Sequence, residues 1–290
     1  MDSNIHTRAL LVWLTIGTWS ARKYDRKITE KVNADFHASA DAGRYNKFLL
    51  PGDAPAYKKL MTLASSIRVA HYNHTLAWSD EGWRLLPVAN YTQYTAWMRE
   101  QSSAFRSALD DFAAEYPTLR AQAAVKLNGL YKEEDYPRAQ DIRDRFSLGV
   151  QYSPVPAQGD IRVSLADDQI KAIEASIAER TDTAVNTAMS DAWQRLYTHV
   201  AHIADRLGSP DAIFRDSLIT NAREVCDSLR RLNVTNDPKL EAMRARVDRE
   251  LTSYDPDVLR DTPSVRTATA ERAANILQAM SGLYGKDAAA

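Results

Sequence analysis

Two groups of side chains in this sequence are spaced as chemistry would need them. The first is a basic run interleaved with aromatics: Trp19, Ser20, Ala21, Arg22, Lys23, Tyr24, Asp25, Arg26 and Lys27, with Lys31 beyond. Residues 22–31 hold five basic and two acidic side chains, a local charge of +3. Guanidinium and ammonium groups neutralise phosphates, and aromatic rings stack on bases. Trp19, Arg22, Lys23, Tyr24, Arg26, Lys27 and Lys31 are therefore candidate nucleic-acid contacts. At helical spacing Arg22, Lys23 and Arg26 would fall on adjoining turns of one surface. The plainer reading makes Trp19 and Tyr24 core and the charges a solvated coat on a helix. No segment resembles a recognition helix for base edges, so any binding of DNA or RNA would show little sequence preference.

The second group is histidine. His71 with His74, and His199 with His202, stand three apart, which on a helix points two rings the same way, as two ligands of one ion require. His71 and His74 share a stripe with Leu60, Ile67 and Trp78, and His199 and His202 flank an apolar seam, so neither pair is assigned a metal. No Glu-x-x-His or His-Glu-x-x-His pattern supplies acidic ligands beside them. The acidic cluster Glu133-Glu134-Asp135, between Lys132 and Arg138, reads as a solvated face. Cys226, the only cysteine, excludes an intrachain disulfide and reads as inert core. The sequence contains no nucleophile elbow, phosphate-cradling glycine loop or dinucleotide turn. No catalytic residue, metal or cofactor is assigned, and a binding protein rather than an enzyme is expected.

The elements that must position these side chains are legible from periodicity. Leu10, Val12, Leu14 and Ile16 alternate with Leu11, Trp13 and Thr15, predicting a strand covered on both faces over 9–17. Leu148, Val150 and Tyr152 predict another, and Ile161, Val163 and Leu165 resume the period after Pro154 and Pro156. Between these segments the spacing is helical. Ile28, Val32 and Phe36 keep one face; Leu60, Leu63 and Ile67 another. Tyr94, Met98, Phe105, Leu109, Phe112 and Tyr116 form a third, which Pro117 is expected to end. Of the 25 Trp, Tyr and Phe residues, 20 lie in 1–152, which predicts a compact aromatic-rich first part and a bundle-like second part.

From Ala166 the pattern is helical and unbroken as far as Gly208-Ser209-Pro210, about 40 residues or roughly 60 Å of helix. Met189, Trp193, Leu196, Val200, Ile203 and Leu207 are spaced 4, 3, 4, 3 and 4, a seam able to join two copies of the chain. A homo-oligomer is expected through it, with an intramolecular bundle as the rival, because three amphipathic helices follow. Asn236-Asp237-Pro238 and Asp261-Thr262-Pro263 carry caps for two of them. The expected fold is α+β and mainly helical, with a small sheet in a 1–165 domain and a 166–290 helical domain opened by the long helix 166–207.

Lys plus Arg is 37 and Asp plus Glu 38, so a net charge of −1 leaves only a local patch to favour nucleic acid. The most apolar stretch, residues 9–16, is far too short for a membrane span, and a cytoplasmic protein is expected.

Two stretches carry a resemblance: Leu14-Thr15-Ile16-Gly17-Thr18-Trp19-Ser20-Ala21-Arg22-Lys23, and Trp78-Ser79-Asp80-Glu81-Gly82-Trp83-Arg84-Leu85-Leu86-Pro87 ahead of Tyr91 and Tyr94. Their order and spacing resemble an uncharacterised family of bacteriophage, plasmid and mobile-element proteins, known only as a domain of unknown function, over residues 8–165. The resemblance implies an accessory or adaptor role, sometimes beside a ring-type ATPase of the AAA class and a von Willebrand-type domain protein, and hands over no catalytic residues. The leading expectation is a non-enzymatic accessory protein of a phage or mobile element in the bacterial cytoplasm, acting by binding and self-association, with its ligand left open and nucleic acid one candidate. The alternative is a scaffold for a host or phage protein partner, or an adaptor for such an ATPase.

Overall fold

Alternation places β1 at Ala9–Gly17, entered directly from a short helix, α1 (Ile5–Arg8). In the computed structural model, which describes residues 5–79, 82–157, 159, 166–209 and 211–284, the chain is an α+β protein dominated by helix, at 67%. Four more strands precede the last: β2 (Arg22–Tyr24), β3 (Asn46–Phe48), β4 (Leu76–Ala77) and β5 (Arg84–Pro87), with β6 at Ser147–Pro154. The main sheet has the order β4-β5-β1-β6, with Ala9 opposite Pro87 and Val12 opposite Arg84. β1 is thus an interior strand, as its doubly apolar pattern requires. The expected strand at 161–165 lies outside the described residues. β2 to β5 were not expected, because two to four residues are too few to show a period of two.

Two compact units interleave along the chain. One takes in the start to Trp13, His71–Thr95 and Gln151 onward; the other takes in Leu14–Ala70 and Ala96–Val150. These do not coincide with the expected division at residue 165. The reason is a shared core: Ile5, Ala9, Leu11, Leu76 and Leu85 cluster with the apolar faces of the C-terminal helices.

In that first unit the long helix α5 spans Asp167–Gly208, followed by α6 (Ser217–Leu232), α7 (Pro238–Leu251), α8 (Pro256–Asp261) and α9 (Pro263–Tyr284). Asp237 caps α7, its carboxylate accepting from the Lys239 amide at 2.8 Å, with Pro238 in the first turn where a missing N–H costs nothing. The seam expected to join two copies is instead occupied within one chain. Leu196, Val200 and Ile203 are completely buried and Leu207 nearly so, in one core with α6, α7 and α9. Met189 and Trp193 are half-buried against it, and the Trp193 Nε1–H donates to Asp237 at 3.2 Å. Three amphipathic helices tethered to α5 are at far higher local concentration than a second chain, and they cover its stripe. At the far end of α5, Arg266 donates to the carbonyls of Arg206, Ser209 and Ala212 at 3.0, 2.6 and 2.7 Å, satisfying groups the last turn leaves open.

The second unit is built on most of α3 (Pro55–His74) and α4 (Val88–Leu127). Leu60, Ile67, Phe105, Phe112 and Tyr116 are buried together. Trp19 packs edge-to-face on Tyr57 and Tyr116, at 6.4 and 5.8 Å between centroids, and its carbonyl accepts the Tyr57 hydroxyl at 2.9 Å. α4 does not end at Pro117. It continues ten residues to Leu127 with Pro117 exposed. An interior proline costs about 3 kcal/mol. The extra turns offset it by burying Leu119 and Ala123, which extend the Phe112–Tyr116 stripe, while Tyr116 donates to the Pro137 carbonyl at 2.9 Å.

Candidate nucleic-acid interface

β2 and β3 form a two-stranded antiparallel ribbon joined through α2 (Arg26–Asp35), all within the second unit. Its register sets Arg22 opposite Phe48, Lys23 opposite Lys47 and Tyr24 opposite Asn46. Side chains alternate along a strand and directly opposite residues share a face. Arg22, Tyr24, Asn46 and Phe48 therefore lie on one face, and Lys23 and Lys47 on the other. The first face is open: Tyr24 is 46% and Phe48 58% exposed. Arg22 sits over the Phe48 ring at 4.9 Å and Arg44 over Tyr24 at 5.9 Å, so cations and rings are interleaved in space as well as in sequence.

The second face sets two like charges opposite one another, which destabilises a ribbon unless something neutralises them. Lys47 is buried, and its Nζ lies 2.5 Å from Asp135 and 3.3 Å from Asp25, and donates to the Leu130 carbonyl at 3.1 Å. Burial works to lower the Lys47 pKa, but the hydrogen bond and charge of Asp135, then of Asp25, outweigh it, and the ammonium is held above its ordinary value. Asp25 also caps α2 by accepting from the Ile28 amide at 3.2 Å; that bond first, then Lys47, keeps its carboxyl below the usual range against the opposing effect of burial. Asp135 is thus a buried ion-pair partner and not part of a solvated acidic face as expected; Glu133 and Glu134 stay exposed. With Asp25 and Asp135 turned inward on Lys47, a cleft of about 360 Å³ is left with Lys23, Arg26, Lys27 and Lys132 around it and Glu134 as the remaining carboxylate.

Of the expected contacts, Arg22, Lys23, Tyr24, Arg26, Lys27 and Lys31 are all exposed in this region, but Trp19 is not with them. It belongs to the aromatic core. Nor do Arg22, Lys23 and Arg26 share a helix: the first two stand on β2, and α2 begins only at Arg26. Arg26 pairs with Glu30 at 2.6 Å, whereas Lys23, Lys27, Lys31 and Lys132 make no ion pair among the described residues. Lys27 and Lys31 repeat at i, i+4, a like-charge spacing that works slightly against the helix.

The expected core stripe of α2 is also reversed. Val32 and Phe36 are 43% and 79% exposed, while the helix buries Thr29 and Asn33. Those two hold the connection back to β3: the Tyr45 amide donates to the Thr29 hydroxyl at 2.9 Å, and Asn33 donates to the Ala40 carbonyl at 3.2 Å. Residues 22–48 thus expose four aromatics, Tyr24, Phe36, Tyr45 and Phe48, among six exposed Lys and Arg side chains. Phe36, Arg44, Tyr45, Phe48 and Lys132 were missed by sequence reasoning. The signal for most of them was present, since Arg44-Tyr45-Asn46-Lys47-Phe48 repeats the basic–aromatic alternation of 22–27.

Of the other flagged residues, His71 and His74 are held by structural partners. His71 is buried with its Nδ1 3.0 Å from the Tyr94 hydroxyl, and its pKa is pushed down to about 4 by burial, with Arg84 and His74 adding to it. His74 is half-buried and accepts Asn90 at its carbonyl at 2.7 Å. His202 is exposed, and His199 half-buried. Among the described residues no three His, Cys, Asp or Glu side chains converge as metal ligands would. The Cys226 thiol is raised to about 12 by burial and the nearby Asp248, far from a nucleophile's range. No described helix is long and apolar enough to cross a membrane. Comparison with protein-family models, curated proteins and solved structures gives no match, so the reading rests on this geometry.

Proposed function

We propose that this protein acts by binding, not catalysis, and that its ligand is single-stranded nucleic acid held along the β2–α2–β3 segment. The observation that carries the reading is the open ribbon face, where Arg22, Tyr24 and Phe48 stand side by side, with Lys23, Lys27 and Lys132, which make no ion pair among the described residues, in the cleft behind. A flexible strand can lay phosphates against Lys23, Lys27 and Lys132 and stack bases on Tyr24 and Phe48. A rigid duplex keeps its bases stacked on one another and offers these rings nothing. The β2–α2–β3 segment presents no row of side chains fitted to base edges among the described residues, so preference for sequence is weak. A phage or mobile-element setting rests on the resemblance of the Leu14–Lys23 and Trp78–Pro87 stretches.

Fluorescence anisotropy with labelled single strands of about 20 nucleotides, DNA and RNA, and the matching duplexes tests this, since basic aromatic grooves cover roughly 4–16 nucleotides each. Single strands should bind at low salt. The variant Arg22→Ala, Lys23→Ala, Arg26→Ala, Lys27→Ala should lower the salt slope by about 3, at roughly 0.7 per phosphate contact. Tyr24→Ala with Phe48→Ala should weaken binding by about 1–3 kcal/mol per base no longer stacked. No binding at low salt, equal binding by the folded variant, or a preference for acidic lipid vesicles over oligonucleotides would each overturn the reading.

A further inference from the structure

We propose that the helical unit carries a second anion site, in the groove between the C-terminal part of α5 and the start of α6, which takes the phosphate of a small phosphorylated molecule with an apolar portion. His199, His202 and Arg206 follow one another on α5 at spacings of three and four, so their side chains share a face. Together with Arg215, Ser217 and Asn221 they line a groove of about 210 Å³, and no residue of that lining is acidic. The ribbon cleft of the other unit, by contrast, has three carboxylates in its lining.

The two arginines are not needed to hold this corner of the fold. The open carbonyls at the end of α5 are taken by Arg266, and Asp216 is taken by Arg260. Arg215 makes no ion pair among the described residues. Among the described residues the Arg206 side chain has only its chain neighbour Asp205, at 3.6 Å and largely in water, and a long contact of 3.4 Å to His202. Guanidinium groups left unmatched on one concave surface are suited to a doubly charged oxyanion, which accepts several N–H donors at once. Burial first, then His202, holds His199 below its ordinary pKa against the opposing pull of Glu224. At neutral pH His199 is therefore an uncharged hydrogen-bonding group, and the arginines supply the charge.

The apolar portion follows from the rest of the lining. Phe214 and Leu218 are buried beneath the groove, while Ile213 at its rim is 92% exposed. A β-branched side chain held that far into water, beside arginines, gains if a ligand's hydrocarbon surface covers it.

Calorimetric titration of the full chain with phenyl phosphate and with inorganic phosphate tests the site, with the imidazole resonances of His199 and His202 followed by NMR. The expected result is saturable one-to-one binding of phenyl phosphate, tighter than inorganic phosphate, that shifts both imidazoles. Arg206→Ala with Arg215→Ala should weaken it about tenfold or more without moving the melting temperature. Ile213→Ser should bring phenyl phosphate down to the affinity of inorganic phosphate. The four-site ribbon variant should bind phenyl phosphate as the wild type does, so this proposal and the ribbon reading fail separately. No saturation at millimolar ligand, binding unchanged in the Arg206 and Arg215 variant, or binding lost only in the ribbon variant would each overturn the assignment.

Discussion

The interior of the helical unit and the β2–α2–β3 segment use their cations in opposite ways. In the first, a set of arginines clamps the fold. Arg195 donates to the carbonyls of Tyr72, Asn73 and Thr75 and pairs with Asp191 at 2.8 Å. Arg266 closes the end of α5, Arg231 holds Asn90, and Arg244 pairs with Glu241 and Asp248. A planar guanidinium with five donors is suited to gathering backbone carbonyls that helix ends leave open. In the β2–α2–β3 segment one lysine, Lys47, is buried between two aspartates, and Lys23, Lys27 and Lys31 are exposed without carboxylate partners among the described residues. A net charge near zero hides this division. Along this segment cations without carboxylate partners among the described residues stand beside exposed aromatic rings, and that coincidence distinguishes a binding surface from an ordinary solvated one.

The comparison can be broken at its strongest point first. Lys47→Ala leaves the Asp135 carboxylate buried without a counter-charge and should lower stability by about 3–5 kcal/mol in urea unfolding. Adding Asp25→Asn and Asp135→Asn should recover much of the loss, since no buried charge then remains; equal stability of Lys47→Ala and wild type would make the triad incidental. The next effect belongs to the helical unit and is set by pH. An unfolded imidazole takes up its proton near 6.5, and folded His71 only near 4, so between these values the unfolded chain binds more protons. Stability should fall as pH drops through this window, by up to about 3 kcal/mol from His71. His71→Gln, measured beside the wild type, should flatten that part of the profile.

Arg195→Ala should cost about 2 kcal/mol by leaving carbonyls in and just past the last turn of α3 unpaired. A loss within error would mean that water replaces the guanidinium and that the clamp is not one. The smallest effect should come from the ribbon. Lys23→Ala with Lys27→Ala should change stability by no more than about 0.5 kcal/mol, because neither side chain has an ion-pair partner to lose among the described residues. The same pair should still weaken binding of single strands. A clear destabilisation would show that these lysines hold the fold, and the contrast between the units would be gone.

The helical α+β character, β1, and the start and end of α5 were all legible in the sequence, as were the Asp237-Pro238 and Thr262-Pro263 boundaries. Each depends on local chemistry: apolar periodicity, caps that satisfy nearby amides, and proline's fixed backbone angle. The basic–aromatic run at 22–31 was legible for the same reason, since it is contiguous. What periodicity could not decide is which surface covers an apolar stripe. The α5 seam and the Ile28–Val32–Phe36 stripe look alike as spacings, yet one is buried by helices of the same chain and the other is left open in water. Nor could it pair Lys47 with Asp135, 88 positions away, or take Trp19 out of the candidate interface into the aromatic core. Spacing along a helix or strand determines that a face exists; only the packing of distant segments decides whether that face is covered by the chain or presented to a ligand.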